Sequence, residues 1–194
     1  GHCPPTPPPR PPPPNSVGIM LGSGGHTAEM LQLIRTLPHG EFHPRVYLVS
    51  EGDVHSLARA RALEGALAPH PLQALVLPRA RAVGQSWLST PFTVVWSTIY
   101  TIWALATRPV WLGARRPRVD VLLMNGPATC VPLCIAVWCL RITGAPSPAM
   151  VYIESFARVH SLSLTARIVR HMVDRFVVQW PTADPHATCT GVLV

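Results

Sequence analysis

The chain contains no lysine: all sixteen basic residues among its 194 are arginine, set against nine acidic ones. Without lysine there is no phosphate loop of the Gly-Lys-Ser/Thr kind, in which that side chain reaches the β- and γ-phosphates of a nucleotide. There is no C-x-x-C pair either. The five cysteines, Cys3, Cys130, Cys134, Cys139 and Cys189, are odd in number and have no histidine at ligand spacing, which argues against a metal centre. Three of them fall in an apolar stretch, where a free cysteine behaves as a small hydrophobe, the pattern of a reduced, cytosol-facing domain. Basic runs interleaved with aromatics are missing as well. Apart from Arg115, Arg116 and Arg118 and the pairs Arg59/Arg61 and Arg79/Arg81, the arginines are scattered, so nucleic acid is not expected as a partner. The net charge of +7 and a pI near 9.9 suit anionic lipid or a diphosphate instead.

Nine prolines crowd residues 1–15. That composition builds no core and reads as a disordered tether reaching about 45 Å at ~3.1 Å per residue. The chain opens with glycine rather than methionine, so no signal peptide can be read from it. Residues 16–194 leave room for one domain with a sizeable core, not for a two-domain enzyme. From Ser16 onward, short β-rich runs alternate with helical periodicity. Strands are expected at 17–21, 45–50, 72–77, 119–124, 149–153 and 175–179, and helices at 27–37, 54–67, 129–142 and 162–173. Runs apolar on both faces, such as 119–124, belong in a parallel sheet covered by helices, so the fold class is α/β, a doubly wound, mostly parallel, Rossmann-like sheet. Ligands of such folds sit outside the carboxyl ends of the strands, where 22–27, 125–127 and 154–155 converge.

The first of these segments, Gly22-Ser23-Gly24-Gly25-His26-Thr27, carries the most chemistry. Glycines let the backbone take φ > 0, expected here at Gly25, and approach a ligand, and the following helix aims its unpaired N–H groups and positive dipole end at the turn, an arrangement suited to phosphate or diphosphate. Thr27 stands where a dinucleotide fingerprint would have its third glycine. A charged histidine at a helix N-terminus opposes the dipole, so a neutral His26 reads as ligand or base, a capping or core histidine being the plainer alternative. Glu154, at the end of a strand, is the competing base; hydrogen bonding to a sugar and capping of the next helix through Ser155 are equally open readings.

Residues 86–107 hold no charged side chain. Ser86, Ser89, Thr90, Pro91, Thr93, Ser97, Thr98 and Thr101 make the segment poor bilayer-spanning material, while Phe92, Trp96, Ile99 and Trp103 share one helical face. The expectation is a helix lying on a membrane surface, with Arg108 and the Arg115, Arg116, Arg118 cluster meeting anionic lipid; a core helix with aromatic filler is the alternative.

Together, the Gly-Ser-Gly-Gly-His-Thr loop, the 78–87 segment, Asn125-Gly126-Pro127-Ala128-Thr129-Cys130-Val131-Pro132, Val151-Tyr152-Ile153-Glu154-Ser155 and Val178-Gln179-Trp180-Pro181 resemble the asparagine-linked glycosylation protein 14 family, over about residue 16 to the end. More distantly, the chain is similar to the N-terminal half of the bacterial glycosyltransferase that completes lipid II. The resemblance implies the acceptor half of a GT-B enzyme split between two chains. Such a subunit, inactive alone, works at the endoplasmic reticulum membrane on its cytosolic face, with the nuclear envelope as a further candidate. It recruits a donor-binding subunit of the asparagine-linked glycosylation protein 13 family, and the pair adds the second N-acetylglucosamine from UDP-N-acetylglucosamine to dolichyl-diphosphate-N-acetylglucosamine in protein N-glycosylation. No cofactor is implied. By the same resemblance Gly22, Ser23, Gly24, Gly25, His26, Thr27, Asn125 and Gly126 face the acceptor diphosphate, with Glu154 across the crevice. The apolar tail Gly191, Val192, Leu193, Val194 resembles the segment that docks on the partner, an edge strand on its own sheet being the alternative. Family members usually begin with a hydrophobic anchor helix; here prolines stand in that place, so either the anchor lies upstream or 86–107 does the work. Two other classes stay open: a scaffold without acceptor chemistry, and a stand-alone dinucleotide-binding oxidoreductase, for which Glu51 follows the second strand.

Overall fold

A computed structural model describes residues 16–38, 41–67, 72–81, 84–86, 88–107, 119–184, 187–191 and 193. The proline-rich segment, the arginines from 108 to 118, Trp87, Val192 and Val194 lie outside the described residues. Seven strands form one sheet: β1 (Val17–Leu21), β2 (Arg45–Ser50), β3 (Gln73–Leu77), β4 (Val121–Met124), β5 (Ala149–Ile153), β6 (Arg175–Val178) and β7 (Thr188–Cys189). The order is β3-β2-β1-β4-β5-β6-β7, and every pairing is parallel. Between them run α1 (Gly25–Thr36), α2 (Val54–Leu67), α3 (Thr90–Thr107), α4 (Cys130–Ile142) and α5 (Leu164–Val169). Doubly wound α/β is what the alternation of patterns required, and the sheet is wholly rather than mostly parallel.

β1 is buried from end to end because helices cover both of its faces. Val17, Ile19 and Leu21 join Met30 and Ile34 of α1 and Leu63 of α2 on one face. Met20 points to the other, into a core with Leu122, Met124 and α4 residues Leu133 and Val137. Cys130 and Cys134 sit in that second core as packing atoms; burial pushes the Cys134 thiol up to about 12.

Element ends differ from the expected ones for local reasons. α3 starts at Thr90, not Ser86, since Pro91 fits a helix only in its first turn. α5 starts at Leu164 because Ser163 caps it, its hydroxyl accepting from the Ala166 N–H at 3.1 Å, and it runs six residues. β4 begins only at Val121; Asp120 is held by Ser16, whose N–H and hydroxyl both donate to its carboxylate at 2.8 and 2.7 Å. β7, two residues long, is the sheet's edge strand at 188–189, just ahead of the 191–194 tail for which an edge strand was the alternative.

The helix α3 is inside out. Its buried stripe is Ser97, Thr101, Ala104 and Leu105, while Phe92 (77 % exposed), Trp96 (63 %), Ile99 and Trp103 face outward. The inward hydroxyls are satisfied by main chain: Ser97 donates to the Pro78 carbonyl at 2.8 Å, Thr93 to that of Ala80 at 2.8 Å and Thr101 to that of Ser97 at 2.6 Å. The aromatics are therefore not core filler. Among the described residues no helix is long and apolar enough to cross a membrane.

Candidate functional site

The strand order reverses direction between β1 and β4, which leave the sheet centre toward opposite sides. Loops after these two neighbours diverge and open a crevice at the topological switch point. His26, in the first turn of α1, reaches across it. Its Nδ1 lies 2.8 Å from Asn125 Oδ1, and Asn125 follows β4 directly. The amide of Asn125 is oriented by its other end, where Nδ2 donates to Glu29 Oε2 at 3.0 Å. Since a carboxylate only accepts, Oδ1 is the atom that faces the imidazole, and Nδ1 must be the protonated nitrogen. The neutral ring is thereby fixed as the tautomer with its lone pair on Nε2. Glu29 spends its second oxygen on the Ser155 hydroxyl at 2.9 Å, tying α1 to the loop after β5.

Backbone geometry lets the ring lie where it does. Gly126 has φ 76°, and a Cβ there would stand 2.2 Å from both Cε1 and Nδ1 of His26. Only glycine fits that contact. Gly22 is similarly closed, a Cβ meeting His26 Cβ at 2.8 Å. Gly24, at φ 65° and ψ −122°, is the N-cap of α1 and offers no side-chain cap; no acidic residue occupies the first turn. The outward N–H groups and dipole end of α1 thus carry no capping side chain.

Two cavities meet at His26. A groove of about 640 Å3 runs from His26, Gly126 and Glu154 between α3 and α5, walled by Val94, Leu164 and Ile168 and edged by Arg81 and Arg158. A smaller cleft of about 150 Å3 lies on the other side, lined by Ser23, Ser50, Asp53, Arg79 and Thr129 as well as by His26 and Arg81.

A family model described as "Oligosaccharide biosynthesis protein Alg14 like" matches residues 17–192. The chain belongs to the Alg14 family. It is 43 % identical over 173 residues to the UDP-N-acetylglucosamine transferase subunit ALG14 of Cryptococcus neoformans, covering 87 % of this chain and 75 % of that one. The Rattus norvegicus subunit of the same name is 43 % identical over 176 residues (86 % and 77 %), and the Homo sapiens one 36 % over 173 (86 % and 76 %). In fold it is similar to MurG of Acinetobacter baumannii, with a TM-score of 0.59 at 17 % identity; the match covers 92 % of this chain and 46 % of MurG.

Several expected site residues have other tasks in this Alg14-family chain. Gly25 was expected to need φ > 0; it is an ordinary helical residue with open space where a Cβ would go, and Gly24 holds the positive φ. The Thr27 side chain faces inward, fully buried, its hydroxyl 2.6 Å from that of Ser56, which donates to the Gly22 carbonyl at 3.1 Å. Thr27 thus splices α1 to α2 rather than lining an anion site. Asn125 is fully buried and acts on the crevice through His26. Glu154 is 1 % exposed, and both its oxygens accept main-chain N–H groups, from Ser155 at 2.9 Å and Ser163 at 2.8 Å. Of the readings open for it, capping the loop into α5 is the one its bonds describe. Ser23, Gly24 and Gly25 remain exposed at the turn. At the chain's end Leu193 packs on the core of its own domain, and its N–H donates to Gln179 Oε1 at 3.1 Å, the intramolecular alternative for that side chain. Gly191 is exposed, with φ 76°. Glu29 escaped the sequence reading. Its only signal was its place three residues after His26, on the same helical face.

Proposed function

We propose that this chain is the acceptor-binding, membrane-side subunit of a UDP-N-acetylglucosamine transferase, with His26 as the general base. The observation that carries the reading is the Glu29–Asn125–His26 chain of hydrogen bonds, which in the neutral ring puts the lone pair on Nε2, with His26 lining an apolar groove. A base needs a lone pair of fixed direction, and the half-buried Glu29 carboxylate acting through an amide supplies it as a third group does in hydrolase triads. In the inverting transfer, the acceptor hydroxyl gives its proton to Nε2 as its oxygen attacks the anomeric carbon. The bond from that carbon to UDP breaks, and UDP leaves with the electron pair. Glu154 is on this reading a positioning residue.

The acceptor is dolichyl-diphosphate-N-acetylglucosamine. Its diphosphate meets the N–H groups of Gly24, Gly25 and His26 together with Arg81 and Arg158, and its lipid lies along the groove between α3 and α5. The donor nucleotide belongs to a partner of the asparagine-linked glycosylation protein 13 family, since MurG continues well beyond the part this chain matches. The exposed face of α3 rests on the cytosolic surface of the endoplasmic reticulum membrane.

The test is reconstitution. The full chain, co-purified with its donor-binding subunit, should transfer N-acetylglucosamine to a short-chain lipid-diphosphate acceptor, and neither chain should do so alone. His26→Ala should lower kcat by about 10²–10⁴ while the subunits still co-purify. Retained turnover in that variant would leave only the scaffold reading.

A further inference from the structure

The groove and the helix N-terminus leave the small cleft beyond His26 without a task. It holds an unusual atom. Asp53 is the N-cap residue of α2, and its Oδ1 accepts from the Ser56 N–H at 3.1 Å. Its Oδ2 is buried and has no hydrogen-bond partner among the described residues. Asp53 is nine-tenths buried, and an unsatisfied carboxylate oxygen at such a place costs far more than a neutral carbonyl left alone. No donor among the described residues reaches it, and a group from outside would satisfy it.

The surroundings say what kind of donor. Arg79 and Arg81 line the same cleft, so a metal ion or an ammonium group would meet two positive charges. A phosphate would meet the carboxylate. A neutral group with both donors and acceptors suits this mixture: hydroxyls donate to Asp53 Oδ2 and accept from the guanidiniums and from the one proton that the Ser50 and Thr129 hydroxyls, bonded to each other at 3.1 Å, leave free. The cleft, at about 150 Å3, is half the lower bound of a usual small-molecule site, room for one compact ring edge and not for an oligosaccharide. Arg79 is held in place by its Nε, which donates to the Glu51 carbonyl at 2.8 Å.

We infer that this cleft is the subsite for the pyranose of the acceptor, and that Asp53 is the residue that selects a sugar-bearing diphosphate over a bare one. The inference rests on the acceptor-site reading above. It orders the acceptor along the crevice: lipid between α3 and α5, diphosphate over the start of α1, sugar beside Asp53, with His26 at the junction of both cavities.

Asp53→Asn tests it. Asparagine caps a helix as well as aspartate, keeping an oxygen for the Ser56 N–H, but presents an NH2 donor where Oδ2 accepted. Titrations of the full chain would compare two probes, a short-chain polyprenyl diphosphate bearing one N-acetylglucosamine and the same diphosphate without sugar. The variant should bind the sugar-bearing probe about ten- to a hundredfold more weakly, the usual loss for a charge-assisted bond, with the bare diphosphate bound as by the unaltered chain. Equal affinity for the sugar-bearing probe in both proteins overturns the subsite. So does an equal loss for both probes, which would make Asp53 a support of the α2 terminus alone. If the unaltered chain binds neither diphosphate, the acceptor-site reading fails and takes the subsite with it.

Discussion

Replacing Gly126 with alanine adds one methyl group, and the structure gives the consequences separately for stability and for chemistry. The new Cβ would stand 2.2 Å from Cε1 and Nδ1 of His26 and 2.7 Å from Cγ. Non-bonded carbons settle at about 3.5–4.0 Å, so the ring must retreat by roughly 1.3 Å or more. The 2.8 Å bond to Asn125 Oδ1 does not survive such a shift, and with it goes the fixed tautomer. Backbone strain at φ 76° adds about 1–3 kcal/mol. For a domain of this size that is a fall in Tm of roughly 2–12 °C. A misplacement of ~1 Å at a reacting group costs about 10²-fold in rate. The expected result is therefore a folded, modestly destabilised subunit whose complex has lost about 99 % of its turnover. Gly144→Ala is the control. It carries the same strain, at φ 73°, with nothing within 4 Å of the added carbon, and lies at the far end of α4. Thermal melts and initial rates on both variants separate the two effects: Gly144→Ala should melt lower and turn over normally. Full activity in Gly126→Ala would refute the role given to the ring's position.

Serine at both Trp96 and Trp103 should reduce co-sedimentation with anionic liposomes while leaving circular dichroism unchanged, because both rings are more than half exposed; unfolding would contradict the outward face of α3. Glu64 accepts from the Tyr47 hydroxyl at 2.6 Å and from Arg45 at 3.3 Å, a buried cluster joining β2 to α2. Glu64→Ala leaves the Arg45 charge buried and should cost about 3–5 kcal/mol in denaturant melts; a loss under about 1 kcal/mol would show the arginine finding water. The Arg141 side chain, bonding Asp174 at 3.0 and 2.5 Å, holds that carboxyl below its ordinary range. A lowered folded-state pKa contributes stability above the ordinary carboxylate range and loses it as pH falls through the folded value, so Asp174→Asn should flatten the acid limb of Tm against pH.

The helices and strands were legible wherever a period ran long enough. β1, β2, β5 and α2 have the expected bounds because each is bracketed by a turn residue or proline that stops the pattern. A two-residue strand such as β7 carries no period, and only its neighbour β6 makes it one. The site divides in the same way. The loop 22–27 suggested an anion site because glycines and a helix start lie together in sequence. Which glycine takes the positive φ depends on the residue at which α1 begins, and one position of difference moved it from Gly25 to Gly24. The partners of Glu29 stand 96 and 126 residues away, so no local pattern could have joined them. Asp53 drew no notice in the sequence; its second oxygen becomes informative only once the cleft around it is seen.

The inverted helix α3 gives the proposed geometry a direction. A helix in a soluble fold normally buries its apolar stripe, whereas α3 turns hydroxyls inward and offers Phe92, Trp96, Ile99 and Trp103 to the outside. That arrangement is stable only because carbonyls leaving β3 and within α3 itself accept those hydroxyls, so the inward face is committed to the protein. From Phe92 to Trp103, at ~1.5 Å of rise per residue, the exposed apolar ridge is about 17 Å long. The same helix supplies Thr90 and Val94 to the wall of the groove that ends at His26. A lipid chain leaving a membrane on which α3 lies would thus enter the groove along the helix's first turns without crossing water. Its diphosphate would then arrive where the α1 N–H groups point, and the cost of withdrawing the chain from the bilayer is offset by the apolar walls of Val94, Leu164 and Ile168.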